Sequence, residues 1–503
     1  MSAGVPIDTD LLGVQPTRLA DAALQRARDL GVTHADVRVE VLQSWDATVR
    51  DGRLEGGRTS TDRGLAVRVV HDGSWGFAAS TRRTADEAVA LVETAVALAA
   101  ATRPLSRERV ELAPAPVKPD RRWVSAYDVD PFDVPEAERV ERLAEMSRRL
   151  LAHTAVDHVQ ATVRAVREAT FYADTAGTST TQQRVRVHPE LQATGAGPAG
   201  FATMRTLAPP AGRGWEYLTG TGWDWDAELA ELPDHLAAKL AAPGVEPGPT
   251  DLVIDPSQLW LTIHESVGHA TELDRALGYE ANYAGTSFAT PDKLGTFRYG
   301  SPAMTVTGDR TTEHGLATVG FDHEGVAATS FDLVRDGVFV GYQTDRRSAA
   351  LTGMGASRGC SFADSPSHMP IQRMANVSLA ADATADTTTA ELISRVDEGL
   401  YVVGDDSWSI DMQRYNFQFT GQRVFRIRHG ALAGQVRDAA YQSSTPRFWR
   451  SMEAVGGAST WVLGGAFNCG KAQPGQIAPV SHGCPAALFR GVEIINTARE
   501  SQR

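Results

Sequence analysis

The sequence is short of cysteine and has no long apolar run. The three cysteines in its 503 residues are Cys360, Cys469 and Cys484. An odd and sparse set of thiols excludes a disulfide framework for a chain of this size, so we expect reduced cysteines in a cytoplasmic protein. The most apolar stretch, residues 88–101, contains Glu93 and Thr94, and the first ten residues contain neither a basic nor an apolar segment. We therefore expect no membrane span and no secretion signal.

Lysine is also scarce, because arginine carries nearly all of the positive charge. The four lysines are Lys118, Lys239, Lys293 and Lys471. Acidic residues outnumber basic residues by 62 to 49, which gives a formal net charge of -13. Such a charge repels phosphate groups, so we expect neither nucleic acid nor an anionic membrane surface as a partner.

The first half of the chain alternates between helical and strand-like patterns. The predicted helices cover residues 17–30, 84–101 and 134–153, and the predicted strands cover residues 35–41, 65–70, 75–80, 160–166 and 184–188. Thr84 and Glu87 form a capping box for the second helix, and Asp133 is the predicted N-cap of the third. Residues 241–250 are rich in proline and glycine, as interdomain linkers are. We therefore predict an N-terminal α/β domain at residues 1–240.

The second half, residues 250–503, is mostly strand-like. β-Branched and aromatic residues between Gly, Asp and Asn turns predict strands at residues 316–321, 328–334, 338–342, 400–403 and 423–428. One helix stands out, because Asp255 is a good N-cap and Pro256 suits the first helical position. The sequence thus predicts an α+β protein in which an N-terminal α/β domain precedes a β-rich C-terminal domain that carries this helix.

This helix runs into two histidines and a glutamate, which occupy residues 264–269 in the pattern H-E-x-x-x-H. An α-helix turns by about 100° per residue, so His264 and His269 would point about 140° apart on a regular helix. Gly268 loosens the backbone and permits a π-type bulge, a feature often found at functional sites. We therefore predict a distorted turn at residues 266–269 and a metal site at the two histidines. The alternative is that two surface histidines lie close together by chance.

A catalytic zinc site needs three protein ligands and an open position for water. Cys469, in the glycine-rich segment at residues 464–471, is the candidate for the third ligand, and the nearby Lys471 would favour its thiolate. A packing role for this cysteine is the alternative. Glu272 is the competing ligand, although we assign it to orienting a histidine from outside the ligand set.

The other two cysteines and one further histidine have separate interpretations. Cys360 and Cys484 are interpreted as structural residues. His482, in a Ser-His-Gly segment, is a candidate hydrogen-bond donor to the transition state.

The sequence pattern resembles that of the TldD/PmbA family of metalloproteases, and specifically that of its metal-binding TldD branch. The resemblance is carried by residues 264–269, by Glu272 and Asp274, and by the Cys-Gly-Lys sequence at residues 469–471. It extends over most of the chain through further segments at residues 73–77, 322–325, 372–376 and 398–401. The PmbA-like paralogues lack the H-E-x-x-x-H pattern, so its presence indicates the TldD branch. The chain departs from the family pattern at residues 270–271, where Ala-Thr replaces the usual Gly-Leu.

The resemblance implies an N-terminal α/β domain, a β-rich C-terminal domain, and a dimer whose enclosed cavity admits unfolded peptides. The dimer would be a homodimer or a heterodimer with a metal-less PmbA-like paralogue. The resemblance also implies one zinc ion per chain, bound by His264, His269 and Cys469.

We therefore predict a zinc-dependent peptidase that hydrolyses peptide bonds in unfolded or leader peptides. Zinc would lower the pKa of its bound water towards about 7, and Glu265, which is not a ligand, would act as the general base. One alternative is another amide hydrolase of the deformylase kind, which acts on a small substrate. The other is a non-catalytic zinc-containing subunit, in which Cys484 or Glu272 closes a structural site as the fourth ligand.

Overall fold

The first half of the chain forms one seven-stranded sheet, and its helices pack on one face of that sheet. The computed structural model describes residues 6–197 and 200–500. The elements of this half are α1 (Thr9–Gly13), α2 (Pro16–Asp29), β1 (His34–Arg50), β2 (Arg53–His71), β3 (Ser74–Ser80), α3 (Ala85–Thr102), β4 (Arg121–Val124), α4 (Glu136–Leu151), β5 (His158–Asp174), β6 (Ser179–Gly197), β7 (Gly200–Arg205) and α5 (Trp225–Ala241). The strand order is β3-β2-β1-β5-β6-β4, and β7 also pairs with β6. The pairs are antiparallel except for β4 with β6.

The long strands of this sheet have an apolar face and a charged face. In β1, Val37 packs with residues of α2 and α3, and Trp45, further along the same face, packs with residues of α4 and α5. Asp36, Arg38 and Glu40 point to the opposite face, since side chains alternate along a strand. The alternation predicts a half-buried strand, but these three charged residues are buried as well. They are buried because the second half of the chain covers this face.

Polar contacts hold the two halves together across this face. Arg68 donates through Nη1 to a carboxylate oxygen of Glu324 at 3.2 Å. Arg38 donates through Nη2 to the main-chain carbonyl of His368 at 2.7 Å. The side-chain amide of Gln182 donates to the carbonyl of Phe321 at 2.8 Å. The charged face of the sheet therefore serves as the surface on which the second half is mounted.

Helix α4 begins later than the sequence predicts, and helix α3 has the length and composition of a membrane span. The prediction that Asp133 caps α4 is wrong, because α4 begins at Glu136 after Pro135, and the residue before a proline disfavours helical geometry. Residues 85–105, which comprise α3 and the following 3-10 turn, are long and apolar enough to cross a membrane by length and composition alone. In the structure α3 packs on the sheet, with Leu91 and Val92 buried against it.

The second half is rich in strands and is built around a closed sheet. Its elements are β8 (Gly248–Ile254), α6 (Pro256–Ile263), α7 (Leu273–Ala276), β9 (Val306–Asp309), β10 (Ser330–Arg335), β11 (Val338–Phe339), α8 (Arg346–Leu351), β12 (Ser361–Phe362), β13 (Ile371–Gln372), β14 (Asn376–Leu379), α9 (Thr389–Ser394), β15 (Glu398–Ile410), β16 (Asn416–Arg428), β17 (Ala431–Val436), β18 (Ala439–Ser444), α10 (Thr445–Arg450), β19 (Met452–Val455), β20 (Val462–Lys471), β21 (Gln476–Cys484), β22 (Ala487–Asn496) and α11 (Thr497–Glu500). The main sheet has the order β15-β8-β22-β18-β16-β17, and β15 also pairs with β16, which closes five strands into a barrel. Strands β20 and β21 form a separate hairpin. The α+β fold expected from the sequence is confirmed.

The strand predicted at residues 316–321 is wrong. This segment is irregular and has one isolated bridge, from Phe321 to Ala327. Side chains from distant segments satisfy several of its N–H groups in place of a neighbouring strand. The N–H of Leu316 donates to the hydroxyl of Ser481 at 3.0 Å, and the N–H of Phe321 donates to the side-chain carbonyl of Gln182 at 3.2 Å.

Candidate metal centre

The helix that carries the H-E-x-x-x-H pattern starts regularly and ends in a distorted turn. A carboxylate oxygen of Asp255, the N-cap of α6, accepts the N–H of Ser257 at 3.0 Å. After α6, His264–Gly268 forms a π turn and His269–Thr271 forms a 3-10 turn. The N–H of His269 donates to the carbonyl of His264, five residues back. The distortion predicted at residues 266–269 is therefore present, and it begins two residues earlier.

Buried side chains outside the helix hold the π turn in place. Gln343 is fully buried, and its side-chain amide donates to the carbonyl of Gly268 at 2.7 Å. The hydroxyl of Tyr299 donates to the carbonyl of Ser266, and the indole N–H of Trp449 donates to the Ser266 hydroxyl at 2.9 Å. Carbonyls of the irregular turn thus find partners that a regular helix would have supplied. The core of the second half therefore fixes the direction of the two histidines.

The π turn brings the two imidazoles together and sets them against the cysteine. The ring centres of His264 and His269 are 4.6 Å apart. Sγ of Cys469, on β20, lies 3.6 Å from Nε2 of His269. With one ligand atom taken from each residue, the three atoms lie within 4.8 Å of one another, and all three side chains are buried. The structure thus unites the three residues that the sequence singled out, although Cys469 follows His269 by 200 residues.

A third histidine, His482, is hydrogen-bonded to the ring of His264. Nδ1 of His482 lies 2.8 Å from the carbonyl oxygen of Val377, and Nε2 of His482 lies 2.7 Å from Nδ1 of His264. Burial and repulsion from His264 lower the pKa of His482 far below its usual range, so its ring is neutral. A neutral imidazole donates from one nitrogen and accepts at the other. Therefore Nδ1 of His482 donates to Val377, Nε2 accepts the Nδ1–H of His264, and Nε2 of His264 keeps its lone pair for a metal.

Because both nitrogens of His482 are used in this way, the ring has no N–H left to offer a substrate. The interpretation of His482 as a donor to the transition state therefore fails. His482 instead supports the ring of His264, which is a candidate metal ligand.

Glu272 holds His269 in the same way. Its Oε2 accepts from Nδ1 of His269 at 2.8 Å, which leaves the lone pair of Nε2 on the side of Cys469. Arg275 and Lys471 each donate to this carboxylate at 3.1 Å. Burial alone would raise the pKa of Glu272, but Lys471, Arg275 and His269 hold it well below its usual range. Glu272 thus occupies the position of a residue that orients a histidine from outside the ligand set.

The cation that lies beside the cysteine is an arginine, and Lys471 is directed elsewhere. Nζ of Lys471 donates to the partly buried Asp274 at 2.8 Å as well as to the buried Glu272, because two carboxylates attract it more strongly than a thiol does. Nη2 of Arg373 donates to the carbonyl of Cys469. Burial alone would raise the pKa of the Cys469 thiol, but His269 and Arg373 lower it below its usual range. These neighbours shift the thiol towards the thiolate, with a different cation from the one predicted.

The other two cysteines lie apart from this cluster. The thiol of Cys484 donates to the carbonyl of Pro256 at 3.6 Å, and the thiol of Cys360 donates to the carbonyl of Arg358 at 3.8 Å. Burial raises the pKa of Cys360 to about 12 and that of Cys484 well above its usual range. Both side chains are therefore protonated thiols within the core of the second half.

Glu265 lies beside the cluster and is paired with an arginine. Its Oε2 accepts from Nη1 of Arg414 at 2.9 Å.

A cavity of about 540 Å³ opens over these residues, between the two halves of the chain. The second half contributes both histidines, Glu265, Arg414 and much of β20 to the wall, and the first half contributes His188, Glu190 and residues 205–210. Three tryptophans, Trp223, Trp260 and Trp408, also line it.

The donor set fits a zinc ion. Two imidazole nitrogens and one thiolate are ligands that zinc prefers, and three protein ligands leave the further position that catalytic zinc sites need. Both imidazoles have their Nδ1 atoms occupied by His482 and Glu272, so each presents Nε2. The site therefore has the chemistry and the outer hydrogen bonds of a zinc centre.

Sequence reasoning missed three residues of this site. Gln343 forms an isolated bridge with Glu272 and Arg414 lies in a turn, and neither has a fixed spacing to the histidines, so no local pattern marks them. Arg373 lies within residues 372–376, one of the segments that carry the family resemblance, and this was the one signal that could have drawn attention to it.

Comparison with protein families agrees with this geometry. The PmbA/TldA metallopeptidase C-terminal domain matches residues 247–496, and domain 1 of the same metallopeptidases matches residues 35–99. The chain belongs to the PmbA/TldD family. The resemblance seen in the sequence is therefore confirmed, and the family is one of metallopeptidases.

Several curated proteins are similar to this chain over nearly its whole length. A metalloprotease from Methanothermobacter thermautotrophicus is 28% identical over 98% of this chain and 100% of its own length. A metalloprotease TldD homolog from Haemophilus influenzae is 23% identical over 96% of this chain and 98% of its own. A zinc metalloprotease TldD homolog from Saccharolobus solfataricus is 22% identical over 94% of this chain and 98% of its own.

Solved structures share the fold. A proposed modulator of a DNA gyrase from Thermotoga maritima superimposes with a TM-score of 0.76 at 13% identity, over 95% of this chain and 100% of its own. TldE from Thermococcus kodakarensis superimposes with a TM-score of 0.71 at 14% identity, over 95% of this chain and 99% of its own. At such identities the likeness is evidence of the fold alone.

Proposed function

We propose that the protein is a zinc-dependent peptidase whose zinc is held by His264, His269 and Cys469, with one zinc per chain. The observation that carries the proposal is that three ligand atoms converge beside a carboxylate, Glu265, at the floor of a cavity. Membership of a metallopeptidase family supports it. The name of the Saccharolobus solfataricus relative supports zinc as the metal.

In this proposal zinc, when bound, supplies a water molecule with a lowered pKa and polarises the substrate carbonyl. Glu265 acts as the general base, accepts a proton from the attacking water, and then passes it to the leaving amine nitrogen. His482 and Glu272 keep the proton of each ligand imidazole on Nδ1, on the side away from the cluster. In this proposal the two ligand histidines and Cys469 hold the metal, Glu265 transfers the proton, and His482 and Glu272 orient the imidazoles.

The substrate in this proposal is an unfolded or leader peptide, bound as an extended strand. Strand β20 pairs with β21 along one edge, and no other described strand pairs with it. Residues 464–470 of β20 line the cavity next to the cluster. A peptide added to a free strand edge is recognised mainly through its main chain, so many sequences can bind.

We also propose the cellular setting that the family resemblance suggests. The protein acts in the cytoplasm as a dimer, either with a second copy or with a metal-less PmbA-like paralogue. Size-exclusion chromatography with light scattering on the purified protein, alone and with such a paralogue, tests the assembly.

The decisive experiment combines a zinc assay with a peptide digest. Wild type should bind one zinc per chain and cleave internal bonds of an unfolded peptide, as seen by mass spectrometry. Glu265→Ala should keep its zinc and lose cleavage, whereas Cys469→Ser should lose both. Cys360→Ala, which removes a thiol outside the cluster, is the matched control and should keep both. Full cleavage by zinc-loaded Glu265→Ala would rule out the mechanism.

The same digest separates the alternatives. An enzyme that releases formyl groups from small substrates but leaves internal bonds intact would be a deformylase-like amide hydrolase. A protein that holds zinc through four ligands and cleaves nothing would be a non-catalytic subunit. The fourth-ligand alternative has little support, because Cys484 lies outside the cluster and Glu272 is bound to His269, Arg275 and Lys471.

A further inference from the structure

Arg414 is the cation that reaches Glu265 inside the cavity. Its Nη1 donates to Glu265 at 2.9 Å, and its Nη2 donates to the carbonyl of Ala284 at 3.1 Å. Its Nε has no hydrogen-bond partner among the described residues. The side chain is 13% exposed and lines the cavity together with His264, His269 and Cys469. The guanidinium therefore lies in the wall of the cavity where a substrate would lie, and Nη1 and Nη2 each carry a second N–H group.

The backbone holds this arginine in one position. Arg414 lies in the turn between β15 and β16 and has a left-handed φ of 61°. The carboxylate of Asp411 accepts the N–H groups of Gln413, Tyr415 and Asn416 at 3.1, 2.8 and 2.9 Å. The hydroxyl of Thr445 donates to the carbonyl of Arg414 at 2.8 Å. Such anchoring is typical of a side chain that is positioned before the substrate arrives.

Two other polar side chains near the cavity, His482 and Arg205, are already committed. Both nitrogens of His482 are used, on Val377 and His264. Arg205, which also lines the cavity, donates to Glu190 at 3.0 Å and to the Asp405 carboxylate at 3.0 Å. The position of a hydrogen-bond donor to the reacting carbonyl, which the sequence assigned to His482, is thus open to Arg414.

We propose that Arg414 is a catalytic residue that donates hydrogen bonds to the carbonyl oxygen of the scissile peptide bond as that oxygen gains negative charge. This inference rests on the proposed peptidase function. Glu265 accepts a proton from water, the water oxygen bonds to the carbonyl carbon, and the carbonyl π electrons move to the oxygen, where Arg414 stabilises them. The electron pair on the oxygen then re-forms the C=O bond, the C–N bond breaks with its pair on nitrogen, and the nitrogen takes the proton from Glu265.

The test uses the zinc-loaded full-length protein with two substitutions. Arg414→Ala removes the guanidinium, and Arg414→Lys keeps the charge but loses the planar donor pair. Removal of one such donor typically lowers kcat by about 100- to 1000-fold, so we expect this loss in both variants with little change in KM. Met412→Ala, in the same turn and with a side chain that is more than half exposed, is the matched control and should keep wild-type kcat.

A binding measurement separates a catalytic role from a structural one. A phosphinic peptide carries an anionic oxygen where the charged intermediate would, so its affinity should fall about 100-fold in Arg414→Ala, in step with kcat. Isothermal titration measures that affinity, zinc content and melting temperature check the variants, and added guanidinium should restore part of the activity of Arg414→Ala. If Arg414→Ala does not fold, Arg414→Lys alone decides.

Two results would overturn the inference while leaving the peptidase proposal intact. One is an active wild type, inactive Glu265→Ala, and Arg414 variants with normal kcat. The other is a loss of kcat with unchanged affinity for the phosphinic peptide, which would make Arg414 a positioning residue for Glu265. A wild-type protein that binds zinc and cleaves no peptide would instead count against the proposed function itself.

Discussion

Nδ1 of His264 lies 2.7 Å from Nε2 of His482, which in turn is fixed by the carbonyl of Val377. This chain of two hydrogen bonds determines which nitrogen of His264 carries the proton. A metal-binding histidine depends on such support, and its loss typically weakens metal binding by about 10- to 100-fold. The relationship therefore makes His482 a test of the proposed zinc site in which none of the three proposed ligand residues is replaced.

We predict that His482→Leu binds zinc about 10- to 100-fold more weakly than wild type. The variant leaves the Nδ1–H of His264 without an acceptor in a buried setting. Competition with a chromophoric chelator measures the affinity. His158→Leu, which changes an exposed histidine paired with Asp51, is the control and should bind zinc normally. Equal affinities for wild type and His482→Leu would refute the assigned role.

We predict that Gly268→Ala is destabilising because of crowding in the π turn. A Cβ at this position would lie 2.6 Å from Sδ and 2.9 Å from Cε of Met374, a buried side chain. Overpacking of this kind costs about 1–3 kcal/mol. Urea unfolding should show that Gly268→Ala combined with Met374→Ala costs less than the sum of the single changes, since the clash is removed. Strict additivity would mean that Gly268 is needed for another reason.

We predict a pH-dependent stability that comes from Glu40. Burial, with repulsion from Glu168 and Asp62, raises the pKa of Glu40 to about 7 in the folded protein. The folded state then keeps a proton that the unfolded chain has already lost, so stability falls as pH rises from about 5 to 7, by at most about 1.4 kcal/mol per pH unit. Glu40→Gln cannot lose this proton, so its melting temperature should gain on wild type over that range. Glu93→Gln, at an exposed pair with Arg26, should run parallel to wild type.

We predict that Trp408 contributes to substrate binding. It is 56% exposed and lines the cavity with Trp223 and Trp260, so an apolar side chain of a peptide can bury it. Loss of an aromatic contact of this kind typically costs 1–2 kcal/mol, or about 10-fold in kcat/KM. Peptides that differ only by Phe or Asp at one position should show the loss in Trp408→Ala for Phe alone. An equal loss for both peptides would mean that Trp408 does not select side chains.

The local part of this structure could be predicted from the sequence, because its causes are local. Asp255 and Pro256 start α6 by themselves, and the five-residue spacing of His264 and His269 requires a distorted turn. Ligand chemistry made Cys469 a candidate for the third ligand, with Glu272 as its competitor, and the family resemblance implied the full set.

The rest depended on contacts between segments that are distant in the sequence. Residues 316–321 have a strand-like pattern, but Ser481 and Gln182 satisfy their N–H groups from far away in the chain. Lys471 stands two residues from Cys469, but Glu272 attracts it instead. The charged face of β1 is buried for the same reason, since a second part of the chain covers it. These partners could not be predicted from the spacing of residues along the chain.

Because Cys469 lies on β20, near the end of the chain, the candidate metal centre can be completed only late in synthesis. A growing chain that has passed residue 269 already carries both histidines, but it has neither the thiol nor the support of His482. Some two hundred further residues must be made, and the barrel strand β22 follows the β20–β21 hairpin immediately. A chain that is still being made therefore lacks the full set of proposed ligands, and we expect the proposed zinc centre to form only when folding is nearly complete.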